Sequence, residues 1–248
     1  MKIKVLGTGN AFNQEARFNS SYLIKSNGIN TLIDCGFTVP LALQNESIEF
    51  SSIDYILITH YHGDHYAGLA SLLLGLRYAS PQYKNLTIIG PGNIKEKVEG
   101  LFKVLYPGTE DLLTQLNINF QSVLTSGDKL KTKDFNLEIY PMVHSSDALP
   151  VGYVFEKNRL KVGFSGDTSW HNGLIPFIKS CDKLIIECNF VQKVGEGHIS
   201  IEELEASELI QLKKKNIYLT HLYSESANKS KQLGYNTLSD GDDLYFKS

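Results

Sequence analysis

The segment HYHGDH, which begins at His60, follows directly on the apolar run YILIT. A short apolar run of this kind predicts a buried β-strand. His60 and His62 are two positions apart, so on an extended segment their side chains project to the same side and can face one metal ion. Gly63 permits a sharp turn that directs Asp64 and His65 towards a second ion. The segment therefore predicts a strand end that carries metal ligands.

Four later residues occupy the same sequence context, at or just after the end of an apolar run or in a loop that contains glycine. They are His144 after LEIYPMV, Asp167 after LKVGFSG, His198 in GEGHIS and His221 after NIYLT. In layered α/β folds, loops at one edge of the sheets gather polar groups over a rigid base. Imidazole and carboxylate ligands together suit Zn²⁺, Mn²⁺ or Fe²⁺, and a metal catalyst needs open positions for water.

Composition limits the class of molecule. The 248 residues are 42% hydrophobic and 21% charged, with a net charge of −3, so the sequence shows no broad electrostatic surface for nucleic acid. The three cysteines are widely spaced, which argues against disulfides and against a cysteine-ligated zinc site. No run approaches the ~20 apolar residues of a membrane span. We expect one domain, residues 1–248, in a soluble cytoplasmic protein that has no membrane partner.

Strand-like runs recur along the whole chain, and helix-like stretches are fewer. SSYLIKS and NTLIDCG flank Asn27-Gly28, which is a strong signal for a hairpin turn. Apolar residues at helical spacing predict helices in HYAGLASLLLGLR, GNIKEKVEGLFKVLY and SIEELEASELIQLKKK. The last helix is predicted to begin with a capping box formed by Ser200 and Glu203. The order of elements is that of an α/β protein, and its halves could be two sheets packed face to face with helices outside.

The histidine-rich segment also carries a family resemblance. HYHGDH resembles the H-x-H-x-D-H signature of the metallo-β-lactamase superfamily, and the likeness continues in order through nearly the whole chain. This resemblance implies an αββα sandwich with a dimetal site at one edge. It implies two divalent ions, zinc above all, with manganese or iron as alternatives. The implied ligands are His60, His62 and His144 for the first ion, Asp64, His65 and His221 for the second, and Asp167 as a bridge between both.

Two further segments resemble ribonuclease Z within that superfamily. GEGHIS is similar to its G-H-S-T loop, and IIECNF is similar to its H-E-A-T loop, with Glu187 in the glutamate position. Ribonuclease Z grips tRNA with a long arm inserted between the third histidine and the bridging aspartate. Here only 22 residues separate His144 from Asp167, and they read as one hairpin. Without the arm, this chain resembles the compact phosphodiesterases of the same branch, although it lacks the cysteine-rich zinc site that those commonly carry near the N-terminus.

The resemblance implies a metal-dependent phosphodiesterase that acts on a nucleotide, a cyclic phosphate or an RNA-type phosphodiester through a hydroxide held by both ions. Asp64 would orient that hydroxide, and His198 would donate a proton to the leaving oxygen. Glu187 either holds the ring of His198 or makes an ordinary salt bridge. We interpret Asp34, in LIDCG, as a turn residue or a partner of a ligand, and not as a ligand.

Other functions stay open on this scaffold. One is a hydrolase of carbon esters, such as a thioesterase, lactonase or β-lactam hydrolase, against which the GHIS loop argues. Another is a non-hydrolytic metal-binding or redox module. The sequence leaves open the substrate, the native metal, the assembly (a homodimer included) and the processing of tRNA without the arm.

Overall fold

The computed structural model describes residues 1–80, 85–109, 111–125 and 127–247. The predicted domain, 1–248, also contains residues that lie outside these ranges, namely 81–84, 110, 126 and 248. Within the described ranges the strands are β1 (Lys2–Gly7), β2 (Ser21–Ser26), β3 (Ile29–Ile33), β4 (Tyr55–Leu57), β5 (Leu86–Pro91), β6 (Ile118–Val123), β7 (Asp128–Lys131), β8 (Asn136–Pro141), β9 (Val151–Lys157), β10 (Leu160–Phe164), β11 (Lys183–Glu187), β12 (Ile217–Thr220), β13 (Asn236–Thr237) and β14 (Asp243–Tyr245).

These described strands form two mixed sheets of seven strands each. The first sheet has the order β14-β1-β2-β3-β4-β5-β6, and the second has the order β13-β12-β11-β10-β9-β8-β7. The helices of the same ranges are α1 (Val39–Asn45), α2 (Gly63–Tyr66), α3 (Gly68–Ala79), α4 (Ile94–Leu105), α5 (Leu112–Gln115), α6 (Leu174–Ser180), α7 (Ile201–Ala206), α8 (Glu208–Lys213) and α9 (Ser224–Gln232). None of these helices has the length and apolar character that spanning a bilayer requires.

Strand β4 illustrates how the sequence produces the layers of the fold. Tyr55 and Leu57 join the apolar cluster between the two sheets, whereas Ile56 and the following Ile58 join the cluster beneath the helices of the first sheet. Successive side chains of a strand point to opposite faces, so one buried strand supplies two apolar layers. A third cluster lies between the second sheet and α6 to α9. Three apolar layers between four structural layers give the predicted αββα sandwich.

Local predictions were confirmed at the first hairpin and corrected at one helix. Asn27 and Gly28 have φ angles of 52° and 77° and join the paired strands β2 and β3. The capping box of Ser200 and Glu203 is present. The single helix predicted after Ser200 is wrong, because α7 ends at Ala206 and Ser207 adopts an extended conformation. The Ser207 side chain accepts the N–H of Ile210 and so begins α8 as a new helix.

Candidate metal centre

The predicted site residues meet at one edge of the sandwich, where strands of both sheets end. Backbone hydrogen bonds join the two sheets at this edge, including one from Val151 N to Thr59 O of 2.9 Å. The connection matters because the candidate ligands come from both sheets and need a common rigid base. The first sheet supplies His60, His62, Asp64 and His65 after β4, and the second supplies His144 after β8, Asp167 after β10 and His221 after β12.

Three histidines form the first group of candidate ligands. The ring nitrogens of His60, His62 and His144 lie within 4.8 Å of one another. His62 Nδ1 is 3.0 Å from His144 Nε2, although the two residues are 82 positions apart in the chain. Imidazole nitrogens that converge from three rings are the usual surroundings of a catalytic divalent ion.

The second group consists of two carboxylates and two histidines, all buried. One ligand atom from each of Asp64, His65, Asp167 and His221 lies within 4.8 Å of the others. Asp64 Oδ2 is 3.3 Å from His65 Nε2 and 3.5 Å from His221 Nε2. Among the described residues, the ion pairs of both carboxylates are with histidines. Buried carboxylates need positive charge, so this group is suited to a cation.

Asp167 lies between the two groups. Its Oδ2 atom is 3.8 Å from His60 Nε2 and 4.0 Å from His144 Nε2, both in the first group. Its Oδ1 atom is 3.4 Å from His65 Nε2, and Oδ2 is 3.5 Å from His221 Nε2, both in the second. A carboxylate that reaches both groups has the position required of a bridge.

In three of the candidate ligands, the ring nitrogen Nδ1 contacts a polar group of the protein. His65 Nδ1 donates to Asp34 Oδ2 at 2.8 Å, and His144 Nδ1 donates to the carbonyl of Gly197 at 2.7 Å. His60 Nδ1 is 3.1 Å from the hydroxyl of Thr59, which itself donates to Asp34. Such contacts fix the orientation of a histidine that ligates metal through its other nitrogen. Asp34 therefore acts as a partner of His65, as interpreted from the sequence.

Electrostatics favours the protonation states that bind cations at three of the candidate ligands. At His65, burial would lower the pKa, but without a cation Asp167 and Asp64 hold it well above its ordinary value. Burial, reinforced by the charge of His65, holds the pKa of His60 well below its ordinary value. Burial also lowers the pKa of His144. For Asp167, burial alone would raise the pKa, but His221 and His65 hold it well below its usual range. Neutral imidazoles and an ionised carboxylate are the forms in which these side chains coordinate metal.

The remaining polar atoms fit a bound metal. Three buried ring nitrogens of the candidate ligands have no hydrogen-bond partner among the described residues: His60 Nε2, His65 Nε2 and His221 Nδ1. A buried polar atom without a partner is costly, and native structures contain few of them. The first two of these atoms face Asp167 from the two ligand groups, and coordination would satisfy them. The residues at this edge thus have the donors, burial and charge of a metal site.

His198 and Glu187 form a pair beside these groups. His198 Nδ1 donates to Glu187 Oε1 at 2.8 Å. Glu187 is 1% exposed and also accepts the backbone N–H groups of Thr168, Asn189 and Ile199. Burial raises the pKa of Glu187, and the hydrogen bond and charge of His198 oppose that shift. Burial lowers the pKa of His198, but the hydrogen bond and charge of Glu187 outweigh it and raise the pKa to about 9.

Close backbone packing holds the turn that carries Asp64 and His65. The N–H of Cys35 donates to the carbonyl of His65 at 2.7 Å. A Cβ atom added at Gly36 would lie 1.9 Å from the carbonyl oxygen of Asp64, so glycine is required there. Two residues of the site, Asp34 and His221, have φ angles of 57° and 55°. Left-handed backbone at residues other than glycine is strained, and it concentrates at functional sites.

Some features of the site escaped sequence analysis. Gly197, at φ 106°, accepts from His144 and donates its N–H to Ser169 Oγ, so it ties the His198 loop to a candidate ligand. The signal in the sequence was the glycine directly before His198. The rings of Phe12 and Phe190 were also missed, although Phe190 ends the IIECNF segment. His171 is half-buried and lies outside the ligand groups found in the described residues.

Comparisons of sequence relate this chain to known proteins. The family model described as "Anti-Pycsar protein Apyc1" matches residues 1–245. The anti-Pycsar protein Apyc1 of Bacillus phage BSP38 is 32% identical over 212 residues, which cover 82% of each chain. Ribonuclease Z of Lachnoclostridium phytofermentans is 30% identical over 159 residues, which cover 64% of this chain and 49% of that one.

The solved structures confirm the fold. The metallo-β-lactamase fold protein YhfI from Bacillus subtilis superposes with a TM-score of 0.76, at 22% identity and with 98% of each chain covered. Together with the sequence relatives, this structure confirms the superfamily and the fold that the sequence predicts.

Proposed function

The chain belongs to the anti-Pycsar protein Apyc1 family, and on that premise we propose that it hydrolyses a phosphodiester bond of a cyclic nucleotide. Its class is that of a metal-dependent phosphodiesterase of the metallo-β-lactamase fold. The observation that carries the proposal is the position of Asp167, within 4.0 Å of both ligand groups and of His198. An attacking water, positive charge that neutralises the phosphate and a proton donor can therefore act on one phosphate.

We assign the two groups to two ions, with zinc as the first candidate and manganese or iron as alternatives. Two adjacent divalent ions supply acidity to water and neutralise the charge of a phosphate. The assigned ligands are His60, His62 and His144 for one ion, Asp64, His65 and His221 for the other, and Asp167 between them.

The remaining roles belong to protein side chains. Asp64 is 4% exposed, and the atom that lies near His65 and His221 is Oδ2, so Oδ1 can accept a hydrogen bond from the attacking water and orient it. His198 is held through Nδ1 by Glu187, which leaves Nε2 on the opposite side of the ring. From there His198 donates a proton to the leaving oxygen as the bond to phosphorus breaks. Glu187 positions His198 and does not touch the substrate.

The short hairpin favours a small substrate. Strands β9 and β10 pair directly through the turn at Asn158 and Arg159, so no arm emerges between His144 and Asp167. Long RNA substrates need binding surface beyond the reacting phosphate, whereas a cyclic nucleotide can be held by the site and its rim alone. A small cyclic phosphodiester is thus the substrate that this chain can bind with the fewest additional contacts.

The test compares substrates on one metal-analysed preparation. A cyclic nucleotide and bis(p-nitrophenyl) phosphate should be hydrolysed, whereas a thioester and a β-lactam should not. Activity on pre-tRNA should be poor. Hydrolysis of the thioester or the β-lactam alone would overturn the proposal in favour of a carbon-ester hydrolase. Efficient processing of pre-tRNA would show that another surface grips RNA and would contradict the small substrate.

A further inference from the structure

A row of aromatic rings leads outward from His198. The ring of Phe190 lies 6.0 Å from that of His198, centroid to centroid, with an interplanar angle of 75°. The ring of Tyr223 stacks on Phe190 at 5.3 Å and 23°. Phe12 follows at 5.6 Å from Tyr223 and at 58°. Three rings thus extend from the proposed proton donor towards solvent.

Two of these rings are joined rigidly to the site. The N–H of Tyr223 donates to the carbonyl of Asn189 at 3.3 Å, next to Phe190 in the chain. The carbonyl of Phe190 accepts from Ile201 at 2.9 Å, beyond the His198 loop. Phe190 is three residues after Glu187, and Tyr223 is two residues after His221. Their position relative to the reacting phosphate is therefore set by the same strands that set the ligands.

The third ring is exposed and lies in a strained loop. Phe12 is 63% exposed, so the protein interior does not account for its position. Directly after it, Asn13, Glu15 and Ala16 have φ angles of 53°, 59° and 58°. The loop is held by Asn13 Nδ2, which donates to the carbonyl of Arg17 at 2.8 Å. A loop that maintains strain and exposes a large apolar ring beside a site indicates a binding function.

We propose that Phe12, Phe190 and Tyr223 form an aromatic shelf on which the nucleobase of the substrate stacks. The proposal rests on the phosphodiesterase function above and assigns the residues that bind the base of the nucleotide. Aromatic side chains bind bases by stacking, because every base presents a π-face. The shelf contributes no charged group of its own, so it suits the uncharged base while the phosphate binds at the metal centre.

The test uses a matched pair of substrates, a 3′,5′-cyclic nucleotide and the same cyclic ribose phosphate without its base. Wild-type protein should prefer the nucleotide in kcat/KM. The exposed position of Phe12 makes Phe12→Ala a change that the fold tolerates. That variant should reduce the preference by roughly 5- to 150-fold, mainly through KM for the nucleotide. Activity on the baseless substrate should stay at the wild-type level.

Further variants separate stacking from disturbance of the structure. Tyr223→Phe keeps the ring and should keep the preference, whereas Tyr223→Leu should reduce it. Tyr78→Ala removes another exposed ring, 72% exposed and on α3, and should leave both substrates unaffected.

The outcomes distinguish the two proposals. If wild-type protein cleaves neither substrate, the phosphodiesterase proposal fails. If it cleaves both equally well, or if Phe12→Ala leaves the preference unchanged, the shelf is wrong while the phosphodiesterase stands. Equal loss on both substrates in Phe12→Ala would assign the loop a structural role and also overturn the shelf.

Discussion

At the scale of single residues, the site shows how one residue type serves two tasks. His65, His144 and His198 are each oriented through Nδ1 by a protein acceptor. The other ring nitrogens, the Nε2 atoms of His65 and His198, differ in their surroundings. His65 Nε2 is buried within 3.4 Å of Asp167, whereas 20% of the His198 side chain is exposed. A buried nitrogen beside a carboxylate is suited to a cation, and a more exposed one is suited to exchanging protons.

This difference predicts that two substitutions which both lower activity will differ in their effect on metal content. Asp167→Ala removes the carboxylate shared by both groups and should release metal together with activity. His198→Ala should retain nearly all metal and should lower kcat by about 100-fold or more, the usual size of acid–base contributions. Metal content per chain, measured by elemental analysis beside kcat, checks both expectations.

The control is His171→Ala, because His171 lies in a neighbouring loop outside the ligand groups of the described residues. It should keep its metal and its activity. A fully metallated Asp167→Ala protein would contradict the bridge, and a His198→Ala protein that loses metal in proportion to activity would identify His198 as a ligand.

At the scale of elements, the turn between β4 and α3 depends on packing against the loop after β3. Gly36 allows the two backbones to touch, because an added Cβ atom would meet Asp64 O at 1.9 Å. Backbone atoms cannot swing aside as a flexible side chain can. Any displacement of this turn moves Asp64 and His65 together, since both belong to α2.

Gly36→Ala should therefore weaken metal binding and lower the free energy of unfolding by about 1–3 kcal/mol, as overpacking usually does. Gly100→Ala is the matched control, because a Cβ atom at Gly100, within α4, meets nothing within 4 Å. That change should stabilise the protein by about 0.5–1 kcal/mol. Denaturant unfolding and metal titration measure the effects. Equal behaviour of the two variants would show that the contact is unimportant.

At the scale of the whole molecule, the metal centre joins the two halves of the sandwich. The apolar cluster between the sheets packs their inner faces, while the site collects buried carboxylates from both sheets at their common edge. Without cations, Asp64 and Asp167 would keep buried negative charges that only histidines compensate in the described part of the chain. Metal binding should therefore stabilise the native state of both sheets together.

Chelation should lower the melting temperature by about 20 °C. Each of the two ions, present at about 1,000 times its dissociation constant, contributes about 4 kcal/mol, and a chain of this length changes by about 2–4 °C per kcal/mol. Calorimetry before and after chelation measures the change, and added zinc should reverse it. A chelated protein that has lost its metal but melts at the original temperature would show that the ions do not stabilise the fold.

Local patterns in the amino-acid sequence determined several features of this protein. The α/β class, the first hairpin and the strand ends that carry His60 to His65, His144, Asp167 and His221 could be predicted from local patterns, because alternation and turn residues act over a few positions. The αββα arrangement was implied by the resemblance to the metallo-β-lactamase superfamily. The break at Ser207 could not, since the helical pattern continues across it and a side-chain cap competes with it only once the packing of both halves is set.

Only the tertiary structure decided which groups meet. Contacts between residues that are separated in the chain include the 3.0 Å between His62 and His144, those of Glu187 with Thr168 and His198, and that of Phe12 with Tyr223. Such contacts depend on how the two sheets pack and on where their loops turn. Local patterns carry no record of that packing, so the sequence could indicate the chemistry of the centre but not the tautomers, the partners or the aromatic row at its rim.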